Sequence, residues 1–597
     1  MDWIYIMTKR VDSFNFFLKR MIYILCFTGL CLIDQTIGSA TGWIQFGIKN
    51  YTSFIIAIIV ISAFKIRDFI KIPYFIWLIL FFLGRNYVLT WGISNSGNFL
   101  KLQTAMWCLG IYGVVFLRLF YFYVIEKKRP HIKWSSFGIC LIMLLGMAVI
   151  QNDINWPKTL FVTLICLYLT AFNEKDLSNL YEGIADGIIL GFFVVQIQAW
   201  MYRPYDIFRY RGMYSHPNMN ALFYLCAYSA VLCKWYLLKI RKQHVLYRIP
   251  LILLAGLIVG TIFFTGARTA YITIAFLTLG FLIFQFFSHE KGKILELALS
   301  IVALISSIFI CFLPAYYLIR YIPAYVDEPI YFEADNVSKK IKKGEPVDSE
   351  KYISLEKALK VMYGRFFGFV DEEKGENTSW IDWKDILMPA QVVYASEMSE
   401  RYEQYINPIE TGYVELGTES SHPLLTGDEE NSSVKTRVAI YKYFLERTSI
   451  IGKKNNPQGV WVSSKTFATH CHNVLIQISY DFGMIIGVFF VVVIFMFYYK
   501  VFKGLREYSE IDDFYRLFVS CSYVSLFLVF GMLDIVWIYG QLPFTMFWLV
   551  QYIVYHKQPH EIEAEQEYRD EDDAYFLTTS SGVVIEDGLE IIDMDED

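Results

Sequence analysis

Apolar residues come along this chain in long blocks, not in the alternating pattern of strands or the three-to-four spacing of soluble amphipathic helices. Fourteen runs stand out, near 21–38, 51–64, 73–92, 103–124, 135–151, 158–172, 182–201, 218–238, 249–265, 269–287, 294–319, 473–499, 517–538 and 542–556. Runs this long and this poor in charge suit helices that cross a hydrocarbon core about 30 Å thick. They predict an all-α polytopic membrane protein with about 12–14 transmembrane helices. One stretch, from about 320 to 469, breaks the pattern with mixed, nearly charge-balanced sequence. Its periodic apolar positions, such as Leu355, Leu359 and Met362 with Phe366, predict short helices packed on the membrane body. The expected division is therefore 1–319 (helices 1–11), 320–472 (loop domain), 473–556 (helices 12–14) and 557–597 (tail).

The short connections alternate between basic and charge-poor. Lys65, Arg67 and Lys71, then Lys127 to Lys133, Lys239 to Arg248, Lys291 and Lys293, and Lys500 to Arg506 all fall on one side when the spans alternate. By the positive-inside bias that side is cytoplasmic, so both termini lie inside and the 320–469 loop lies outside. The first 20 residues carry Lys9, Arg10, Lys19 and Arg20 without a small-residue cleavage site, which predicts a retained first helix.

Composition agrees with this class: 55% of residues are hydrophobic, 18% aromatic, and the mean hydropathy is +0.38. Nine of the ten cysteines fall in apolar runs, where they act as small hydrophobes, and only Cys471 borders the loop. The net charge of −5 conceals an asymmetry, because Lys557–Asp597 holds 15 acidic residues against two basic ones, leaving the rest of the chain at +8. Such a tail predicts a solvated, disordered cytoplasmic extension.

The candidate chemistry lies at the boundary between the loop and the last apolar block, Thr469-His470-Cys471-His472-Asn473-Val474. Two histidines at this spacing suit a metal pair, a structural junction or a general base. No carboxylate or cysteine partners stand at ligand spacing, and imidazole titrates near neutral pH, so the base is the favoured role for His472. Arginines on the predicted outer face are the second signal. Arg211 lies in a segment that ends Ser215-His216-Pro217-Asn218, and Arg268 occupies a turn too short to leave the interface. Arg437 lies near the start of a helix expected after Asn431-Ser432-Ser433, with Val434, Val438, Tyr441 and Leu445 on its packed face. An interfacial arginine is costly unless an anion meets it, and its fork of donors matches phosphate oxygens. No phosphate-binding glycine loop, dinucleotide fingerprint or nucleophile elbow is present, and no nucleic-acid surface is evident.

The ordered stretches RGMYSHPNMNAL (211–222), FFTGARTAYITIAF (263–276), SSVKTRVAIYKYFLERTSIIG (432–452) and HNVLIQISYDFGMIIGVF (472–489) resemble the O-antigen ligase and O-antigen polymerase superfamily of bacterial envelope enzymes. The resemblance covers roughly 180–540. It implies a C-type membrane glycosyltransferase that needs no metal or other cofactor. Its donor would be a polyprenyl-diphosphate-linked glycan on the outer face of the cytoplasmic membrane, and its acceptor another glycan or lipid-linked glycan. It further implies that His472 deprotonates the acceptor and that Arg268 and Arg437 hold the diphosphate, with Arg211, Asn218, Asn473 and Asp481 as supporting contacts. One departure is that the glycine-rich stretch usual after the loop arginine reads Ile451-Gly452-Lys453-Lys454 here. The alternative class is a multi-span transporter or flippase for an envelope glycan precursor, for which Arg85 and Arg118 are the cavity-lining candidates.

Overall fold

The computed structural model describes residues 2–33, 42–96, 99–128, 131–150, 156–202, 205–206, 209–214, 217–287, 293–326, 433–452, 460–463, 466–468, 470–508, 510–534, 541–556, 584–586 and 590–592. Most of the long loop, including Leu355, Leu359, Met362 and Phe366, lies outside these residues. The remainder is almost wholly helical. Ten helices are long and apolar enough to cross a membrane, and four shorter apolar segments (Tyr51–Ser62, Trp134–Ile150, Trp156–Leu169 and Leu542–Tyr555) bring the apolar helical segments to fourteen among the described residues. This is the architecture of a multi-pass helical membrane protein.

The helices that carry the argument are α1 (Asp2–Ile33), α5 (Trp134–Ile150), α7 (Glu174–Tyr202), α8 (Pro217–Ile240), α9 (Ile249–Thr265), α10 (Arg268–Phe287) and α11 (Lys293–Val326). After the long loop come α12 (Ser433–Glu446), α13 (Val474–Phe482), α14 (Met484–Glu507) and α15 (Ile511–Gly531). Three short antiparallel hairpins add little: Tyr205–Asp206 with Arg209–Tyr210, Val460–Ser463 with Thr466–Ala468, and, within the acidic tail, Val584–Glu586 with Glu590–Ile592.

Small residues let the helix axes approach. In α7, Gly183, Gly187 and Gly191 recur every fourth position and meet Tyr23, Ile24 with Phe27, and Cys31 of α1; a Cβ on Gly187 would stand 2.6 Å from the Ile24 carbonyl oxygen. The matched order makes α1 and α7 parallel, and Thr28 donates to the Gly187 carbonyl at 3.0 Å. Without a hydrophobic driving force between helices in lipid, such backbone contact is what packing relies on. Parallel α9 and α11 repeat the device, with Gly256 against Ser307 and Gly260 against Ala315.

The basic connections gather at one end of the bundle. There Lys19 pairs with Asp176 at 2.6 Å, Arg20 with Glu182 and with Asp186, Lys234 with Asp186 at 2.7 Å, and Arg241 with Glu182 and Asp512. Arg118 belongs to the same end. It is buried between Asp68 (3.3 Å) and Glu126 (2.8 Å) and lies over the Phe64 ring, so its charge is answered locally by a structural ion pair. Arg85 instead lies over Trp107, 5.1 Å from the ring centroid.

From that end α8 and α15 run antiparallel. Their contacts pass from Tyr236 and Phe518 (4.7 Å between rings) through the Tyr523 hydroxyl on the Cys226 carbonyl to Asn218 and Asp534 at the opposite end. α10 packs alongside both, with Phe284 5.1 Å from Phe518. Phe281 is as many residues from Arg268 as Phe518 is from Gly531, so at about 1.5 Å per residue both helices reach the same level at the end opposite the basic connections.

Candidate functional site

The site is built where three chain breaks meet. The apolar block 473–499, expected as one helix, is two: α13 ends at Phe482, and Gly483 (φ 94°, ψ 156°) redirects the chain into α14. The run expected to continue to 538 stops at Gly531, after which Met532, Leu533 and Asp534 form a turn. The connection after α12 then crosses the α13–α14 break, where the Ser449 and Ile450 carbonyls accept from Met484 N (2.9 Å) and Ile485 N (3.2 Å). Gly452 and Gly483 both have positive φ, and a Cβ on Gly483 would lie 2.3 Å from Gly452 N. Chain crossing at this distance admits only glycine on both sides. That is the physical use of the lone Gly452 found where the family resemblance implied a glycine-rich stretch.

His472 stands at the head of this assembly. Its backbone is left-handed (φ 54°), one of three positive-φ residues other than glycine among those described, and such strain concentrates at working sites. The following Asn473 caps α13, its side-chain oxygen accepting from Leu475 N (3.0 Å) and Ile476 N (3.1 Å) while its amide donates to the Met532 carbonyl. Tyr441 of α12 donates to the His472 carbonyl at 3.3 Å. The imidazole Nδ1 therefore faces Asp534 Oδ1 at 3.6 Å, with the histidine side chain 29% exposed and the aspartate 5%. Asn218, at the first turn of α8, donates to the other oxygen of Asp534 at 2.6 Å.

Arg437 reaches the same turn, donating from Nη1 to the Leu533 carbonyl at 2.8 Å. One bond leaves the remaining donors of its fork for an anion. The packed face of its helix differs from the expected one. Ile440 and Phe444 are buried, Phe444 lying 4.7 Å from the Tyr480 ring, whereas Val438 and Leu445 are exposed. The reason is that Arg437 and Tyr441 are drawn to the carbonyls of the turns, which rotates the helix away from a purely apolar seam.

The structure thus brings together His472, Asn473, Arg437 and Asn218. Arg268 is exposed at the first position of α10, following the left-handed cap Gly266, at the same level as the Met532–Asp534 turn; no contact between its side chain and His472 or Arg437 joins it to the cluster among the described residues. Arg211 is half-buried, and its carbonyl accepts from Tyr214 N. Asp481 is buried in the last turn of α13. Its carboxylate accepts from Gln477 Nε2 (2.9 Å), and Gln477 Oε1 accepts from Cys471 N (2.9 Å), so it braces the turn that carries His472. Asp534 is the participant that sequence reasoning missed, although a lone carboxylate in an apolar run is itself a functional signal. Among the described residues no group of three or more His, Cys, Asp and Glu is placed to hold a metal ion, and no cysteine forms a disulfide.

Asp481 lies outside the spanning helices, and burial, partly offset by the Gln477 hydrogen bond, pushes its carboxyl up from 3.8 to about 7. A raised folded pKa means that the folded state holds the proton more tightly. Ionisation therefore penalises folding progressively as pH rises from 3.8 towards 7, and no penalty exists below that window. Asp481→Asn is expected to remove this decline and to raise stability at pH 8 by on the order of 1–3 kcal/mol, as read by thermal unfolding across pH. Parallel curves for the two proteins would show that the carboxyl is ionised at no such cost.

Compared with protein-family models, curated proteins and solved structures, the chain gives no match in any of the three. The site defines its chemistry on its own residues.

Proposed function

We propose that the protein is a membrane glycosyltransferase of the O-antigen ligase and polymerase type, transferring or polymerising a polyprenyl-diphosphate-linked glycan at the outer face of the cytoplasmic membrane. The observation that carries the reading is His472 held 3.6 Å from the buried Asp534 beside Arg437, at the end of the bundle opposite the basic connections. A carboxylate this close stabilises the cation that an imidazole becomes on taking a proton, which is what a general base needs.

In the proposed step His472 takes the proton of an acceptor sugar hydroxyl, the oxygen attacks the anomeric carbon, and the diphosphate leaves with the bonding pair. Arg437 meets the charge developing on that leaving group, and Arg268 closes over it from the neighbouring helix when donor is bound. Asp534 balances the imidazolium, and Asn218 keeps Asp534 in place. The ordered stretches that resemble the superfamily support the same reading, and the local pairing of Arg118 removes one motive for the transporter alternative.

The test has two arms. A cysteine placed near Glu403 is expected to react with an impermeant reagent added outside cells, and one near Glu565 is not. Purified protein in proteoliposomes is expected to elongate or transfer a polyprenyl-diphosphate-linked oligosaccharide without added metal. Reversed labelling overturns the topology; movement of intact donor across the bilayer without glycan transfer establishes the transporter.

A further inference from the structure

The exposed side chains of α14 lie in one stripe. Met484, Ile485, Val488, Phe495 and Phe502 are all exposed, at spacings that return to the same side of a helix. On a membrane-spanning helix such a stripe meets acyl chains. The segment after α12 extends it, because Ile450 and Ile451 are 68% and 69% exposed and the backbone of 449–450 is bonded to the first two residues of α14. Depth is fixed as well, since Gly452 packs against Ile150 at the end of α5.

On α12 itself Val438 and Leu445 share one side, and both are more than half exposed. Between them Lys442 pairs with Glu446 at 3.9 Å, and one residue past the helix the exposed Arg447 guanidinium lies on the Tyr443 ring, 3.6 Å from its centroid. Apolar side chains bordered by long cations and an aromatic ring have the composition of a segment lying in a membrane interface, where stems and rings bury and charged heads reach the phosphates. A patch of this kind on a soluble surface would mark a partner. Here it is continuous with the lipid-facing stripe of a spanning helix, which selects phospholipid as the occupant.

We propose that α12 and the connection to Ile451 are seated in the bilayer leaflet at the His472 end, with Leu445, Ile450 and Ile451 among acyl chains and Lys442 and Arg447 at lipid phosphates. Arg437, about a quarter turn round α12 from that side, is thereby held at the boundary between headgroups and hydrocarbon, and the site opens sideways towards lipid. This placement stands apart from the glycosyl-transfer reading, since it requires only an anionic, lipid-borne ligand at that depth.

The experiment is photo-crosslinking with p-benzoylphenylalanine substituted at Leu445, Ile451 or, as the reference within the bilayer, Phe495, in the full chain reconstituted in phospholipid nanodiscs. Phospholipid adducts at 445 and 451, detected by mass spectrometry at yields comparable with that at 495, are expected. Crosslinks from 445 and 451 to residues 327–432 or to a second copy of the chain, with lipid adducts at 495 alone, overturn the proposal. Substitution at Val438 provides an independent position on the same face should the 451 variant fail to fold. Glycan transfer is not read in this experiment, so its failure and the failure of the proposed activity are separable.

Discussion

His472→Ala is expected to lower glycan transfer by about 10²–10⁴-fold while donor binding stays measurable, the range a positioned general base contributes. The reasoning rests on separate tasks within one cluster. His472 serves the acceptor hydroxyl, whereas Arg437 serves the leaving group, so removing the imidazole spares the donor contact. Asp534→Asn removes the charge opposite the imidazole but keeps its shape, and it is expected to lower transfer by less than His472→Ala does, because the base remains and only its counter-charge is lost. Arg437→Ala weakens donor binding and turnover together, with only partial rescue by lysine, since an ammonium cannot make the bidentate contact. Transfer at the normal rate by His472→Ala, in protein that reconstitutes normally, rules out the mechanism.

Gly483→Ala is expected to destabilise the protein by more than about 2 kcal/mol, combining an unfavourable backbone region with steric overlap. The overlap is severe because the added methyl would lie 2.3 Å from Gly452 N and 2.5 Å from the Ile451 carbonyl carbon, both backbone atoms that no rotamer change can move. Relief requires parting the connection after α12 from the α13–α14 break, which carries Arg437 away from His472. Transfer should therefore fall with stability. Gly280→Ala is the matched control, since a Cβ there meets nothing within 4 Å. Equal thermal stability of the two variants in detergent would show that the crossing tolerates a side chain and that the site is held by other contacts.

Much of the architecture was legible in the chain because membrane crossing is a local property of composition. Each of the fourteen apolar runs corresponds to an apolar helical segment, and the basic connections that alternation placed on one side are joined in space through Lys19, Asp176, Arg241 and Asp512. Proximity of His472 to the α12 helix was inferable only from the family resemblance, and the structure draws both to one turn. The interruptions were less legible. Gly483 reads as one more small residue in an apolar run until a second backbone is found crossing it.

The sequence by itself determined the class, the number of apolar segments, the basic end and the residue types available for acid–base and anion chemistry, since these follow from hydropathy, charge and side-chain identity. Tertiary structure alone decided which carboxylate answers His472, that Asp481 acts through Gln477, which face of α12 packs, and that Arg118 is a structural ion pair. These depend on contacts between residues tens to hundreds of positions apart, and such contacts are set by helix crossing and chain redirection, for which a single sequence carries no local signal.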